Sequence, residues 1–253
     1  MTLPRFGPAS KNTPAGLHPT SEMLSICPVR PSPEPTTSID PTQFIVHPTP
    51  VAMSEPITLR VGQGVPHFEM ETYDPAAGEF GKFSLEEAKR GSRWTVLVFY
   101  PADFTFVCPT ELADLAVVHP KLKDLGCDVY GVSTDTKFAH LAWRHSEKLL
   151  ADVRYPLAAD PTGAVSKLFG VYDPASGLAL RGTFIINPDG VLVSSEVNFY
   201  NVGRDASELL RKMEANAYLV RHPDQACPAK WKPGSRTLTP SKDMVGKVFE
   251  ALQ

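Results

Sequence analysis

The run TVLVFY at residues 95–100 constrains the fold more than any other segment. It is apolar without alternation and rich in β-branched and aromatic side chains, the pattern of a strand covered on both faces. Such a strand needs helices on either side, and the chain after it supplies them. Pro109 stands where a helix can begin, and Leu112, Leu115, Val118, Leu122 and Leu125 recur at three- and four-residue spacing. CDVYGVST (127–134) predicts a second strand, Asp135-Thr136 caps a further helix, and a short strand follows near YPLAAD. Asp160-Pro161 announces another helix, as an N-cap with proline in the first turn. TFIINPDGVLVSSEV (183–197) reads as a hairpin turning at Asn187-Pro188-Asp189-Gly190. A last helix is expected from Asp205, with Glu208 completing a capping box, to just before Pro223. Alternation of this kind, closed by a hairpin, predicts an α/β fold: a mixed sheet flanked by helices.

Proline marks where that pattern starts. Of 25 prolines, 11 fall in residues 1–52, among only six charged residues and no helical or strand periodicity. Such a segment cannot offset its chain entropy by burial, so residues 1–52 are expected to be a disordered tail that contributes nothing to folding. Its three basic and three acidic residues lack the bias of a transit peptide, and no apolar h-region marks a signal peptide. Met53 is an alternative start. The globular domain is expected over 53–220, with a C-terminal arm over 221–253.

Composition excludes several functions. A net charge of −3 without a Lys/Arg run argues against a nucleic-acid or anionic-membrane surface. No apolar run approaches the roughly 18 to 20 residues of a membrane span. Four cysteines in 253 residues are too few for a disulfide scaffold, so a reducing cytoplasm is the expected compartment.

Cys108 follows the central strand and immediately precedes Pro109, in YPADFTFVCPTE. Unpaired N–H groups and the dipole at a helix N-terminus favour negative charge on a sulfur placed there. Thr105 is positioned to aim a hydroxyl at it, and Pro101 and Pro109 stiffen the loop. Buried packing is the ordinary role of a single cysteine and stays open on these grounds alone. Other cysteine chemistries fail on spacing. A C-x-x-C dithiol would need cysteine where Glu111 stands, and a phosphatase cradle would need arginine at Asp114. Zinc would need clustered ligands, whereas His222 and Cys227 have none nearby. A papain-like protease stays open by counting, since seven histidines are present, but no local motif supports it.

Pro101, Thr105 and Cys108 form P-x-x-x-T-x-x-C, and FVCPTE is followed about 120 residues later by CPAKWKPG. These motifs resemble the two-cysteine peroxiredoxins, and within them the bacterial alkyl hydroperoxide reductase C branch. The likeness runs from about Thr58 to Gln253. It implies a thioredoxin-like fold with the resolving cysteine in the C-terminal arm, and a peroxidase acting on hydrogen peroxide and organic hydroperoxides. Cys108 matches the peroxidatic cysteine, Cys227 the resolving cysteine supplied by the partner subunit, and Arg181 the arginine that approaches the peroxidatic sulfur. The resemblance further implies a homodimer assembling into a ring, with a decamer expected, and no bound metal or organic cofactor. An external dithiol reductant, thioredoxin or a flavoprotein disulfide reductase, would complete the cycle. A chaperone-like holdase is the alternative function.

Thiolate formation cannot account for the rate by itself. Lowering a thiol pKa from about 8.5 to about 6 raises the thiolate fraction only roughly 30-fold near neutrality, at some cost in nucleophilicity. Each preorganised donor aimed at the departing oxygen is worth on the order of 100- to 1000-fold. Arg181, the Thr105 hydroxyl and backbone N–H groups near Val107 and Cys108 are assigned to that task. Cys127 reads as a small buried hydrophobe, Cys27 as incidental, and Trp143, Phe104 and Phe106 as packing or subunit-contact residues. Glu111 is left outside the catalytic set, as a helix cap or ion-pair partner. Easily overoxidised family members resemble one another in a GGLG insertion and a C-terminal Tyr-Phe pair. Here HLAWRHSEKLLADVRYPL has no insertion and the pair is Val248-Phe249, so resistance to overoxidation is expected.

Overall fold

The computed structural model describes residues 59–253. The expected tail at residues 1–52, and Cys27 within it, lie outside the described residues. A hairpin of β1 (Glu69–Asp74) and β2 (Glu79–Ser84) leads into the short helix α1 (Leu85–Arg90). The run singled out above is β3 (Trp94–Phe99), every residue of which is buried. Then follow α2 (Cys108–Asp124), β4 (Cys127–Ser133), α3 (Lys137–Ser146), a 3-10 turn (Lys148–Asp152), β5 (Leu157–Ala159) and α4 (Ala164–Leu168). A two-residue hairpin, β6 (Tyr172–Asp173) and β7 (Leu178–Ala179), runs directly into the longer hairpin of β8 (Arg181–Ile186) and β9 (Leu192–Asn198). Helix α5 (Ala206–Arg221) and, after a further 3-10 turn (Lys242–Met244), α6 (Val248–Leu252) complete the chain.

Seven of the strands form one mixed sheet in the order β2-β1-β5-β4-β3-β8-β9. Strand β3 pairs in parallel with β4 and antiparallel with β8, which places it well inside the sheet. Its side chains alternate between two cores, as the period of a strand requires. Val96 and Val98 pack with Leu112 and Leu115 of α2, Trp143 of α3 and Leu209 and Met213 of α5. Leu97 and Phe99 face the opposite core, with Phe83, Phe169, Phe184 and Ile186. Burying each such apolar side chain contributes about 1.5 to 3 kcal/mol, and Thr95 is the one polar residue buried among them.

Two local expectations are corrected. The helix announced by Asp160-Pro161 starts only at Ala164, because Asp160–Gly163 forms a turn closed by Gly163 N–H donating to Asp160 O at 2.8 Å. Asp160 still caps the helix from a distance, accepting from Ser166 N at 2.7 Å. Gly163 has φ +66°, and a Cβ there would strike the Tyr172 ring, so the turn demands glycine. The capping box at α5 is only half made. Asp205 accepts from Ser207 N at 2.7 Å, but Glu208 turns away to accept from Arg211 Nε and Nη2 at 2.7 and 2.8 Å.

Beyond α5 the chain returns as an arm. Ala226 pairs with Leu238 in an isolated bridge, and the buried Trp231 ring lies 5.0 Å from Tyr218 of α5. Cys227 sits beside that bridge, half-buried. Among the described residues, no helix is long and apolar enough to cross a membrane.

Candidate active site

Residues 100–107 connect β3 to α2, and several hydrogen bonds fix their course. The Tyr100 hydroxyl donates to Asp103 Oδ1 at 2.8 Å, and Asp103 Oδ2 meets His140 Nδ1 at 2.8 Å. Asp103 N–H donates to Asp135 Oδ2 at 2.8 Å. Burial pushes the Asp103 carboxyl above the usual carboxylate range, with the His140 hydrogen bond opposing it. Phe104 takes φ +56°, costly for a bulky residue, and the turn around it is closed by Thr105 Oγ1 donating to Ala102 O at 2.8 Å. The loop therefore delivers Cys108 as the first residue of α2, with no exposed surface.

A depression of about 230 Å³ opens over this point. Pro101, Thr105, Cys108 and Arg181 all line it, together with Leu178 and Tyr200. Arg181 Nη1 donates to Cys108 Sγ at 3.4 Å. The same nitrogen donates to Glu111 Oε2, and Arg181 Nε donates to the Tyr200 carbonyl at 2.6 Å. Glu111 in turn accepts from Arg204 N at 2.9 Å and Arg204 Nε at 2.8 Å. Both Arg181 and Glu111 are buried, so the guanidinium is held rigidly with one edge on the sulfur. The N–H groups of Val107 and Cys108 find no acceptor among the described residues, as the first donors of a helix would not.

Four of the five expected site residues thus share one pocket, and Cys227 does not. Cys108, Cys127 and Cys227 are all free thiols. The expectation that the Thr105 hydroxyl points at the sulfur is corrected: its proton is committed to Ala102 O, which leaves the oxygen as an acceptor facing the pocket. Sequence reasoning also set Glu111 aside and did not find Arg204 or the Tyr200 carbonyl. Glu111 was detectable, since it lies at i+3 from Cys108 on one helix face. Arg204 was not, being 93 residues distant from Glu111. Phe106 is 93% exposed, whereas the 60%-exposed Phe104 ring lies 6.3 Å from Trp143.

The AhpC/TSA family profile matches residues 61–195. The chain belongs to the AhpC/TSA family. Alkyl hydroperoxide reductase C of Staphylococcus haemolyticus is 48% identical over 181 residues, spanning 72% of this chain and 95% of that protein. The Escherichia coli K12 protein of the same name is 50% identical over 171 residues, 68% of this chain and 90% of its own. The crystal structure of Enterococcus faecalis AhpC superposes with TM-score 0.63 at 41% identity, covering 68% of this chain and all of that one. Reduced Plasmodium vivax 2-Cys peroxiredoxin gives TM-score 0.70 at 30% identity over 75% of this chain and 98% of that one. The resemblance read from the motifs therefore holds for family, for thioredoxin-like fold and for the class of activity, a thiol-dependent peroxidase.

Cys127 belongs to a different environment. Burial pushes its thiol from 9.0 up to about 12, reinforced by Asp128. Its thiol stays protonated and shielded, so native protein treated with an alkylating reagent near neutral pH should leave Cys127 unlabelled until denatured. The linkage has a definite sign. Between 9.0 and about 12 the unfolded chain has lost this proton and the folded chain keeps it, so stability falls as pH rises through that window. Cys127→Ala should flatten that part of a curve of urea midpoints against pH. An unchanged slope would contradict the assignment.

Proposed function

We propose that Cys108 is the peroxidatic nucleophile, that Pro101, Thr105 and Arg181 orient the peroxide over it, and that the partner subunit's Cys227 resolves the product. The observation that carries this reading is the 3.4 Å contact between a buried, doubly anchored Arg181 guanidinium and Cys108 Sγ. The nucleophile in this reading is the Cys108 thiolate, with Arg181 and the unpaired N–H groups at the start of α2 beside it. That anion attacks one peroxide oxygen; an S–O bond forms as the O–O bond breaks. The second oxygen departs as hydroxide or alkoxide and takes up the proton the thiol had released. Cys108 becomes a sulfenic acid, and water or an alcohol leaves.

Each pocket group has a place in that step. Arg181 donates toward the oxygen on which charge grows, the role that preorganised donors perform best. Thr105 Oγ1, its own proton committed to Ala102 O, accepts from the peroxide O–H and so fixes which oxygen faces the sulfur. Pro101 walls the pocket and limits water.

A sulfenic acid at Cys108 then condenses with the thiol of the partner subunit's Cys227, forming an S–S bond and releasing water. Cys227 lines no part of the Cys108 pocket in its own chain, which supports supply from a second copy. Burial raises the Cys227 thiol, opposed by Arg211. The disulfide is reduced by exchange with an external dithiol, thioredoxin or a flavoprotein disulfide reductase. In this reading the protein works in the cytoplasm as a homodimer assembled into a decameric ring, without bound cofactor. A peroxide-consumption assay with added dithiol tests it: Cys108→Ser should abolish turnover while leaving the fold intact. Undiminished turnover in that variant would overturn the assignment, and a holdase activity would survive it.

A further inference from the structure

We infer that Tyr200, Asp173 and Ser176 form a strut across the pocket mouth that positions Arg181, making Tyr200 a positioning residue for the peroxide reaction. The inference rests on the role proposed above for Arg181. That guanidinium has two anchors besides the sulfur: the Glu111 carboxylate, and the Tyr200 carbonyl at 2.6 Å from Nε. Glu111 is part of a helix and is braced by Arg204. Tyr200 is not braced by regular structure. It follows β9 in an irregular segment whose own backbone contact is Val202 N–H donating to Phe199 O at 3.2 Å.

What steadies that carbonyl is the far end of the same residue. The Tyr200 hydroxyl donates to Asp173 Oδ2 at 2.6 Å and lies 2.8 Å from Ser176 Oγ. Ser176 Oγ donates to the same Asp173 oxygen at 2.8 Å and accepts from Leu178 N at 3.2 Å. Tyr200 and Leu178 both line the Cys108 pocket. The strut therefore ties the β6–β7 turn, which feeds directly into Arg181, to the segment whose carbonyl holds Arg181 Nε. The Tyr200 and Ser176 hydroxyls with Ala175 N–H hold the Asp173 carboxyl below the usual range, so Asp173 meets these donors as an acceptor only. With the hydroxyl removed, the carbonyl can drift and the guanidinium can pivot about Glu111. A displacement well under 1 Å suffices to blunt a donor that must meet a developing charge.

The test separates positioning from mere stability. Cys108 oxidation by hydrogen peroxide is timed by stopped flow, beside iodoacetamide alkylation of the same sulfur, which has no departing oxygen to stabilise. Arg181→Lys, which lacks Nε, is the reference and should slow the peroxide reaction strongly. Tyr200→Phe should slow it roughly fivefold to tenfold while leaving alkylation and melting temperature near wild type. Asp173→Ala should do the same, the double variant should be no worse than either single one, and Asp173→Asn should restore most of the rate. In the Arg181→Lys background Tyr200→Phe should have no further effect. An equal loss of peroxide and alkylation rates, full additivity with Arg181→Lys, or an unchanged peroxide rate in Tyr200→Phe would each overturn the inference. If Arg181→Lys itself reacts normally, the role proposed for Arg181 falls and this inference with it.

Discussion

Glu111→Gln should lower the rate of Cys108 oxidation by peroxide roughly 100-fold and destabilise the fold by about 3 to 5 kcal/mol. Both effects follow from one carboxylate serving two buried guanidiniums. Glu111 accepts from Arg181 through Oε2 and from Arg204 through both oxygens. Glutamine keeps one acceptor and turns an NH₂ toward cations that no longer have a counter-charge. Arg181 then loses the anchor that aims it at the sulfur. Stopped-flow rates measured well below the melting temperature of each variant separate the two losses. Glu111→Asp, which keeps the charge but shortens the reach, should recover much of the stability and little of the rate. A Glu111→Gln protein that is stable and reacts within a few-fold of wild type would show that Arg181 is placed by other contacts.

Cys227→Ser should abolish the covalent dimer formed after one equivalent of peroxide and convert Cys108 from a protected site into one that accumulates sulfinic acid. A sulfenic acid there has two fates, capture by a thiol or a second oxidation that few systems reverse. Their ratio depends on how readily Cys108, with no exposed surface, can be freed from the first turn of α2. Two features favour release. Helix α3 passes to the 3-10 turn at Lys148–Asp152 with no inserted segment, and Phe249 of α6 is 72% exposed. Wild-type protein should therefore resist millimolar peroxide during turnover, while Cys227→Ser should not, as read by mass spectrometry of the Cys108 peptide. A dimer that persists in Cys227→Ser would assign the resolving role to Cys127 or Cys27. Predominant sulfinic acid in wild type after modest exposure would instead show that the site opens too slowly.

The central strand, the helix starting at Cys108 and the closing hairpin were legible because each is written in local pattern. TVLVFY has the composition of a strand buried on both faces, and α2 begins where Pro109 permits it. The turn at Asn187–Gly190 forms as its residue types demand, with Gly190 N–H donating to Asn187 O at 2.9 Å. Where local signals failed, tertiary contacts outbid them. The Glu208 side chain found a bidentate arginine in place of its own helix N-terminus, and α4 was delayed by a turn that packs against Tyr172. The candidate site divides along the same line. Cys108, Thr105 and Pro101 lie within eight residues and form a motif, so spacing and family likeness could single them out. Arg204 meets Glu111 across 93 residues, and Tyr200 contributes a backbone carbonyl that every residue type carries. Such partners leave no mark in a sequence, because what selects them is where the sheet and its flanking helices bring distant segments together.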